Sequence, residues 1–315
     1  MARIIGFAAL NRAITQRPSF HPRHWFGWFV VLCIEICALC SATLAHRLSV
    51  PLGMLMHILL RRRRHIALCN IQLCFPEYSA KQHRELTQRH FQSLAITLFE
   101  SAWAWSGRSL EKLNFHIRGA EHLSTHTNHA VLIISGHMSC MDLCSCYLAK
   151  QVKMAGVYRP MRSAVMEWYH TRGRLRFAQA MLSKNDFKAI LQHLKGGGTL
   201  WYAPDQDFGH KRSCFVPFFG QPTATLKASL LLAQRSHAKV VTMLPRRVGI
   251  GHYELDIKPL EWDQVKHKQA SDEAMQQFLS QINERIEATV RQAPEQYWWV
   301  HRRFKSRPAG YPSIY

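Results

Sequence analysis

Residues 131–142 read VLIISGHMSCMD. Val131 to Ser135 is a short, mostly apolar run of the kind that forms a buried strand. Gly136 lets the chain turn, so His137 stands where the strand ends. In open α/β sheets, ligands gather at the carboxyl ends of strands. Met138 to Leu148 reads as a helix that carries Asp142 back toward the imidazole, in the spacing H-x4-D. A carboxylate beside a histidine fixes its tautomer and stabilises the imidazolium, which makes an oriented general base. The spacing also arises by chance, so its weight depends on the rest of the chain.

Downstream, strands and helices alternate. Lys153–Tyr158, Thr199–Ala203 and Lys239–Leu244 read as strands. Phe187, Ile190, Leu191 and Leu194 mark a helix opened by Asn185 or Asp186 and closed by Gly196-Gly197-Gly198. Met275, Phe278, Leu279, Ile282 and Ile286 mark a late amphipathic helix, and Glu85–Trp105 an early one. The pattern predicts an α/β domain: a mixed, largely parallel sheet flanked by helices, spanning residues 61–315.

Upstream lies a different composition. Arg3, Arg12, Arg17 and Arg23 precede Phe26–Ala45, a twenty-residue apolar stretch long enough to cross a bilayer as one helix. Trp25 and Trp28 flank its start like interfacial aromatics, and Glu35 sits near its middle, where an ion facing lipid is costly. A shorter apolar stretch, 48–60, ends in Arg61-Arg62-Arg63-Arg64. Residues 1–60 therefore read as a membrane anchor, either a single span or a hairpin inserted shallowly from one face. The denser cationic cluster favours a cytoplasmic domain. A cleaved signal peptide fits poorly, because the apolar region is long, starts late and is followed by arginines. A buried core helix is the plain alternative.

Lys and Arg outnumber Asp and Glu by 41 to 20, a formal net charge of +21. Such a surplus attracts polyanions: nucleic acid, anionic lipid, a phosphorylated substrate or an acidic protein. No nucleic-acid module is recognisable, and the cations are dispersed rather than gathered in one stripe. The nine cysteines are odd in number and lack zinc-finger spacing; Cys37 and Cys40 sit among apolar residues. They read as small buried hydrophobes in a reducing compartment, with Cys140 a lesser candidate for a reactive thiol.

Four further segments carry polar or aromatic signals. In TLWYAPDQDFG, 199–209, Asp205 and Asp207 flank Gln206 in a loop leaving a strand, able to bind a metal, orient an arginine or contact hydroxyls, or simply to form a solvated turn. Arg159, in VYRP, ends another strand at the same rim, where a guanidinium suits phosphate or a developing oxyanion. FVPFFGQPTAT, 215–225, is either a greasy groove or core. PEQYWWVHRRFKSRP, 294–308, places Arg302, Arg303, Lys305 and Arg307 after aromatics, which suits a membrane surface or an anionic headgroup.

Together RRRRHIALCNIQLCFPEYS, GHMSCMD, VYRP, WYAPDQDFG, FVPFFG and APEQYWWVHRRFKSRP resemble the late acyltransferases of lipid A biosynthesis, the lauroyl and myristoyl transferases of Gram-negative bacteria. The matches run in order from Arg61 to Tyr315, and the H-x4-D pair is shared with the wider glycerolipid acyltransferases. The resemblance implies transfer of a fatty acyl chain from an acyl carrier protein thioester to a hydroxyl of a phosphorylated, Kdo-bearing lipid A precursor at the inner membrane. It implies His137 as base and Asp142 as its orienting acid, with Arg159 or N–H groups near Gly136 at the oxyanion and Asp205 and Asp207 at the rim. No metal or redox cofactor is implied, because a thioester is already activated. The rival readings are an acyltransferase of another lipid, weakened by the lack of a Pro-Glu-Gly phosphate motif, a tethered polyanion-binding protein, and a catalytically dead scaffold.

Overall fold

The computed structural model describes residues 16–108, 110–123, 130–262 and 271–315; Arg3 and Arg12 lie outside them. Four helices come first: α1 (Trp25–Ala38), α2 (Ala42–Leu59), α3 (Arg61–Cys74) and α4 (Ala80–Ser106). Then follow β1 (Asn114–Arg118), β2 (Val131–Ile134), α5 (Met141–Gln151), β3 (Met154–Tyr158), α6 (Ala164–Arg174), β4 (Ala180–Ser183), α7 (Phe187–Lys195) and β5 (Thr199–Tyr202). The chain closes with β6 (Ser213–Phe218), β7 (Gln221–Leu226), α8 (Ala228–Ser236), β8 (Lys239–Gly249), β9 (His252–Pro259) and α9 (Asp272–Gln292).

Seven strands form one sheet in the order β1-β9-β8-β2-β5-β3-β4. Every pairing is parallel except β8 with β9. The expected mixed, largely parallel sheet with helices on both faces is therefore the observed architecture. β2 lies between β5 and β8 and is buried at all four positions, which is why it reads as a continuous apolar run. Its side chains alternate between two cores. Leu132 and Ile134 pack with Ile190, Leu230, Phe278 and Ile282. Val131 and Ile133 pack with Phe99, Trp103 and Leu143 on the opposite face. Local signals close the elements: Ser79 and Gln82 form a capping box on α4, and Asp186 accepts from the Ala189 N–H to start α7.

β6 and β7 form a separate antiparallel hairpin. Its two turn residues, Phe219 and Gly220, both have positive φ (51° and 69°), the primed geometry that matches strand twist. Phe218 and Phe219 are buried against Phe75, Tyr297 and Trp299, so the two phenylalanines before the turn are core rather than the lining of an open groove.

The N-terminal stretch does not form one helix over 26–45, which is one of the two topologies read from the sequence. α1 stops at Ala38, and the Ser41 hydroxyl accepts from Leu44 N–H to start a new helix. The serine cap gives the backbone a local alternative to continued helix, which apolar composition alone does not reveal. No single described helix is long and apolar enough to cross a membrane; α2 and α3 pass such a test only together, and they meet at 96°. Glu35 is satisfied by protein: Tyr169 Oη donates to it at 2.7 Å, and Arg108 pairs with it at 3.3 Å. α2 runs through Pro51 and lies so close to α4 that a Cβ on Gly53 would come within 2.6 Å of the Gln92 backbone.

Candidate active site

His137 is held from three sides just past the end of β2. Its Nδ1–H donates to Asp205 Oδ1 at 2.5 Å, and its backbone N–H donates to Asp205 Oδ2 at 2.8 Å. Its carbonyl accepts from Trp298 N–H at 3.0 Å. With Nδ1 committed, Nε2 carries the free lone pair, and the ring keeps part of its surface in solvent. Asp205 is only 2% exposed. Burial works to raise its pKa, but the charge of His137, its two hydrogen bonds and the nearby Arg303 bring it down to about 2. The acid therefore stays ionised and aims the imidazole.

Parallel register explains this partnership. Ile134 of β2 lies opposite Tyr202 of β5. His137 and Asp205 each follow three residues later, so the two chains leave the sheet side by side.

Asp142, expected to orient His137, does not do so. It sits in the first turn of α5, on the side facing α4 and α6. Trp105 Nε1–H donates to one carboxylate oxygen at 2.7 Å, and Arg174 grips the other with Nη2 at 2.6 Å and Nε at 2.9 Å. Burial alone would raise its pKa; Arg174 and the donated hydrogen bonds lower it instead. The turn through Met138–Cys140 directs the helix so that its first acid braces α6 rather than the imidazole.

Asp207, expected at the substrate rim, is a clamp. Its carboxylate accepts from Gly209 N–H, Ser306 N–H and Ser306 Oγ at 2.8, 2.6 and 2.9 Å. Gly136 is tightly packed, since a Cβ there would meet Ile286 at 3.1 Å. Arg159 is exposed at the end of β3, and its guanidinium makes no hydrogen bond or ion pair among the described residues. Lys184 lies beside it, with its backbone N–H on Tyr158 O at 2.8 Å and its ammonium 5.2 Å from the Phe208 ring.

The C-terminal arginines, expected at a headgroup or membrane, divide. Arg303 is 2% exposed and donates to Ala224 O at 2.5 Å and Thr225 Oγ1 at 3.1 Å, so it pins the β6–β7 hairpin and cannot reach a membrane. Arg307 donates to Pro222 O at 3.3 Å, and Arg302 lies over the Tyr315 ring. A guanidinium in a run of cations can be interior when backbone carbonyls and a hydroxyl meet its fork. Arg63 likewise turns inward, to Val300 O at 3.1 Å, and Asn70 Nδ2 bridges Trp299 O and His301 O at 2.7 and 2.8 Å.

His301 escaped the reading of the sequence. Asp207 N–H donates to its Nε2 at 3.2 Å. Burial, with smaller contributions from His137 and Arg303, lowers its pKa to about 4. Its place between two tryptophans and two arginines was the available signal.

A half-buried histidine oriented by a buried aspartate at the carboxyl edge of a parallel sheet is an arrangement able to take up a proton. The chain belongs to the bacterial lipid A biosynthesis acyltransferases, whose family model matches residues 13–306; it is an acyltransferase. It is similar to the lipid A biosynthesis palmitoleoyltransferase of Escherichia coli (strain K12), 33% identical over 95% of this chain and 97% of that protein. It is 34% identical to the lauroyltransferase of the same organism, over 96% of this chain and 100% of the relative. Among solved structures, a 1-acyl-sn-glycerophosphate acyltransferase from Thermotoga maritima covers 74% of this chain and 98% of its own length, at 14% identity and a TM-score of 0.37.

Proposed function

We propose that the protein transfers a fatty acyl chain from an acyl carrier protein thioester to a hydroxyl of a phosphorylated, Kdo-bearing lipid A precursor, with His137 as general base and Asp205 as its orienting acid. The observation that carries this reading is the bidentate hold of Asp205 on His137, which leaves Nε2 free. His137 Nε2 takes the acceptor's hydroxyl proton while the oxygen attacks the thioester carbonyl carbon. The carbonyl pair moves onto oxygen. Collapse re-forms the carbonyl, breaks the C–S bond and returns the proton to the departing thiolate. Arg159 on the open rim is assigned to an anionic group of the substrates, and the +21 surplus draws both a phosphorylated acceptor and an acidic carrier.

In this reading α1 and α2 rest in the inner membrane from its cytoplasmic side. Phe26, Phe29, Leu32 and Ile36 recur along one exposed stripe of α1, and Leu55, Ile58 and Leu59 stand out from α2. Apolar faces of this kind favour shallow insertion, with nearby arginines at the headgroups.

The test is the purified protein with a panel of acyl carrier protein thioesters and the two successive lipid A precursors. Transfer from a carrier thioester to one precursor is expected; hydrolysis without transfer, or transfer only to glycerol phosphates, overturns the reading. The membrane placement has its own check. Alkaline carbonate should leave the protein in the membrane pellet, whereas release would reduce the attachment to charge alone.

A further inference from the structure

The dyad supplies a base but no donor for the negative charge that grows on the thioester oxygen. His301 is built like such a donor. Because a backbone N–H, that of Asp207, points at Nε2, that nitrogen must accept, and the ring proton belongs on Nδ1. No hydrogen bond to Nδ1 exists among the described residues, and the atom is not among the sealed, unpartnered polar atoms of the interior, so it opens toward solvent.

The backbone that carries the ring is also tied to that of the base. His301 N–H bonds Trp298 O at 3.1 Å, and Trp298 N–H bonds His137 O at 3.0 Å. Asn70 holds His301 O at 2.8 Å from the other side. The loop that His301 touches, 205–207, is the one that carries Asp205 to His137. Two imidazoles therefore share one loop, one with an open lone pair and one with an open N–H. Burial and the neighbouring His137 and Arg303 keep His301 neutral at ordinary pH, so it donates without itself being an acid that discharges.

We propose that His301 is a second catalytic imidazole, whose Nδ1–H donates to the oxyanion of the tetrahedral intermediate. The inference rests on the reading of His137 as the base. When the acceptor oxygen adds to the thioester carbon, the carbonyl pair on oxygen is met by the Nδ1–H bond; no proton leaves His301, and the C–S bond breaks as the pair returns.

Two amide substitutions separate this role from simple tethering. In His301→Gln the amide oxygen falls near the position of Nε2 and keeps the Asp207 contact, with no donor where Nδ1 was. In His301→Asn the amide N–H falls near Nδ1, and the tether is lost. Removing an oxyanion donor lowers kcat by roughly 10²–10³-fold. His301→Gln should show that loss with KM changed little, and His301→Asn should recover a substantial part of it. Near-wild-type kcat in His301→Gln, or Gln outperforming Asn, overturns the proposal in favour of a loop tether. Wild-type protein that transfers no acyl chain overturns the functional reading and this inference together, whereas an active wild type with an indifferent His301 overturns this inference alone. Nitrogen-15 NMR of histidine-labelled wild type gives a readout independent of any variant's folding: a neutral Nδ1–H tautomer of His301 is expected near pH 7, and an Nε2–H tautomer or an imidazolium overturns the proposal.

Discussion

The start of α5 and the loop after β5 each present a buried or nearly buried aspartate at the same edge of the sheet, yet they hold opposite kinds of partner. Asp142 is bonded to Arg174, whose charge is permanent, and to an indole N–H, and nothing in that triad can take up or release a proton at ordinary pH. Asp205 is bonded to an imidazole whose far nitrogen is open. The first arrangement joins α4, α5 and α6. The second, in the reading proposed above, prepares a base. A carboxylate's chemistry is thus set by whether its partner can titrate, more than by its spacing from a histidine.

Breaking the second arrangement should have the largest effect. Asp205→Asn leaves an acceptor for His137 but removes the charge and allows the wrong tautomer, and a loss of about 10³–10⁴-fold in kcat is expected. His137→Ala should lose roughly 10²–10⁴-fold through the missing base. Steady-state rates on folded protein check both, and near-normal turnover in either would dissolve the contrast.

Breaking the first should cost stability rather than chemistry. Asp142→Ala strands a largely buried Arg174, and removal of one member of such a pair costs about 3–5 kcal/mol. Denaturant melts should register that loss, while the folded fraction retains far more activity than the Asp205→Asn variant. A double replacement, Asp142→Leu with Arg174→Met, should recover much of the stability. If Asp142→Ala instead keeps its melting curve and loses turnover, Asp142 belongs with the catalytic acids after all.

The two tail arginines sharpen the same lesson at smaller scale. Arg303→Ala removes the guanidinium donor from Ala224 O, while Asn283 Nδ2 still donates to Thr225 Oγ1 at 3.1 Å, and a loss of about 1–3 kcal/mol is expected. Arg302→Ala, at a half-buried side chain whose guanidinium lies over the Tyr315 ring, should cost less, about 0.5–1 kcal/mol. Equal losses in thermal melts would contradict the contrast between a guanidinium in the interior and one lying on a ring.

The last effect is a slope with pH, spread over several pH units rather than set by one substitution. Burial first, with Arg174 beside it in the second case, lowers His90 to about 4 and His170 to about 3 from 6.5. Between those values and 6.5 the unfolded chain binds protons that the folded chain refuses. Stability should therefore decline as pH falls below about 6.5 and level off near 4 to 3 as far as these groups contribute. A melting temperature that is flat from pH 7 to 5 would show that both rings are charged in the folded protein.

Much of the scaffold is legible in periodicity and caps. β2 and α7 read cleanly because a run buried on both faces and an apolar i, i+3, i+4, i+7 pattern have no rival interpretation, and Asp186 marks where α7 begins. β1 and the β6–β7 hairpin are weaker signals: β1 is half exposed, and the hairpin turns on a Phe-Gly pair that resembles core. The residues of the site were within reach, but not their pairing. His137 was visible at a strand end and Asp205 at another; that they meet depends on β2 and β5 being neighbours, a long-range fact that local spacing does not encode. The break after Ala38 hid for a related reason, since a serine cap changes composition by one small residue.

Met138 bridges to Tyr297, and Trp298, His301 and Ser306 all fasten onto the loops around His137 and Asp205. A segment far along the chain from both residues therefore completes the frame of the candidate site. The packing of β2, β5 and their helices by itself leaves the imidazole without that part of its frame. The imidazole is thereby tied to contacts remote in sequence, so loosening residues 297–306 should disturb His137 without any change in β2 or β5.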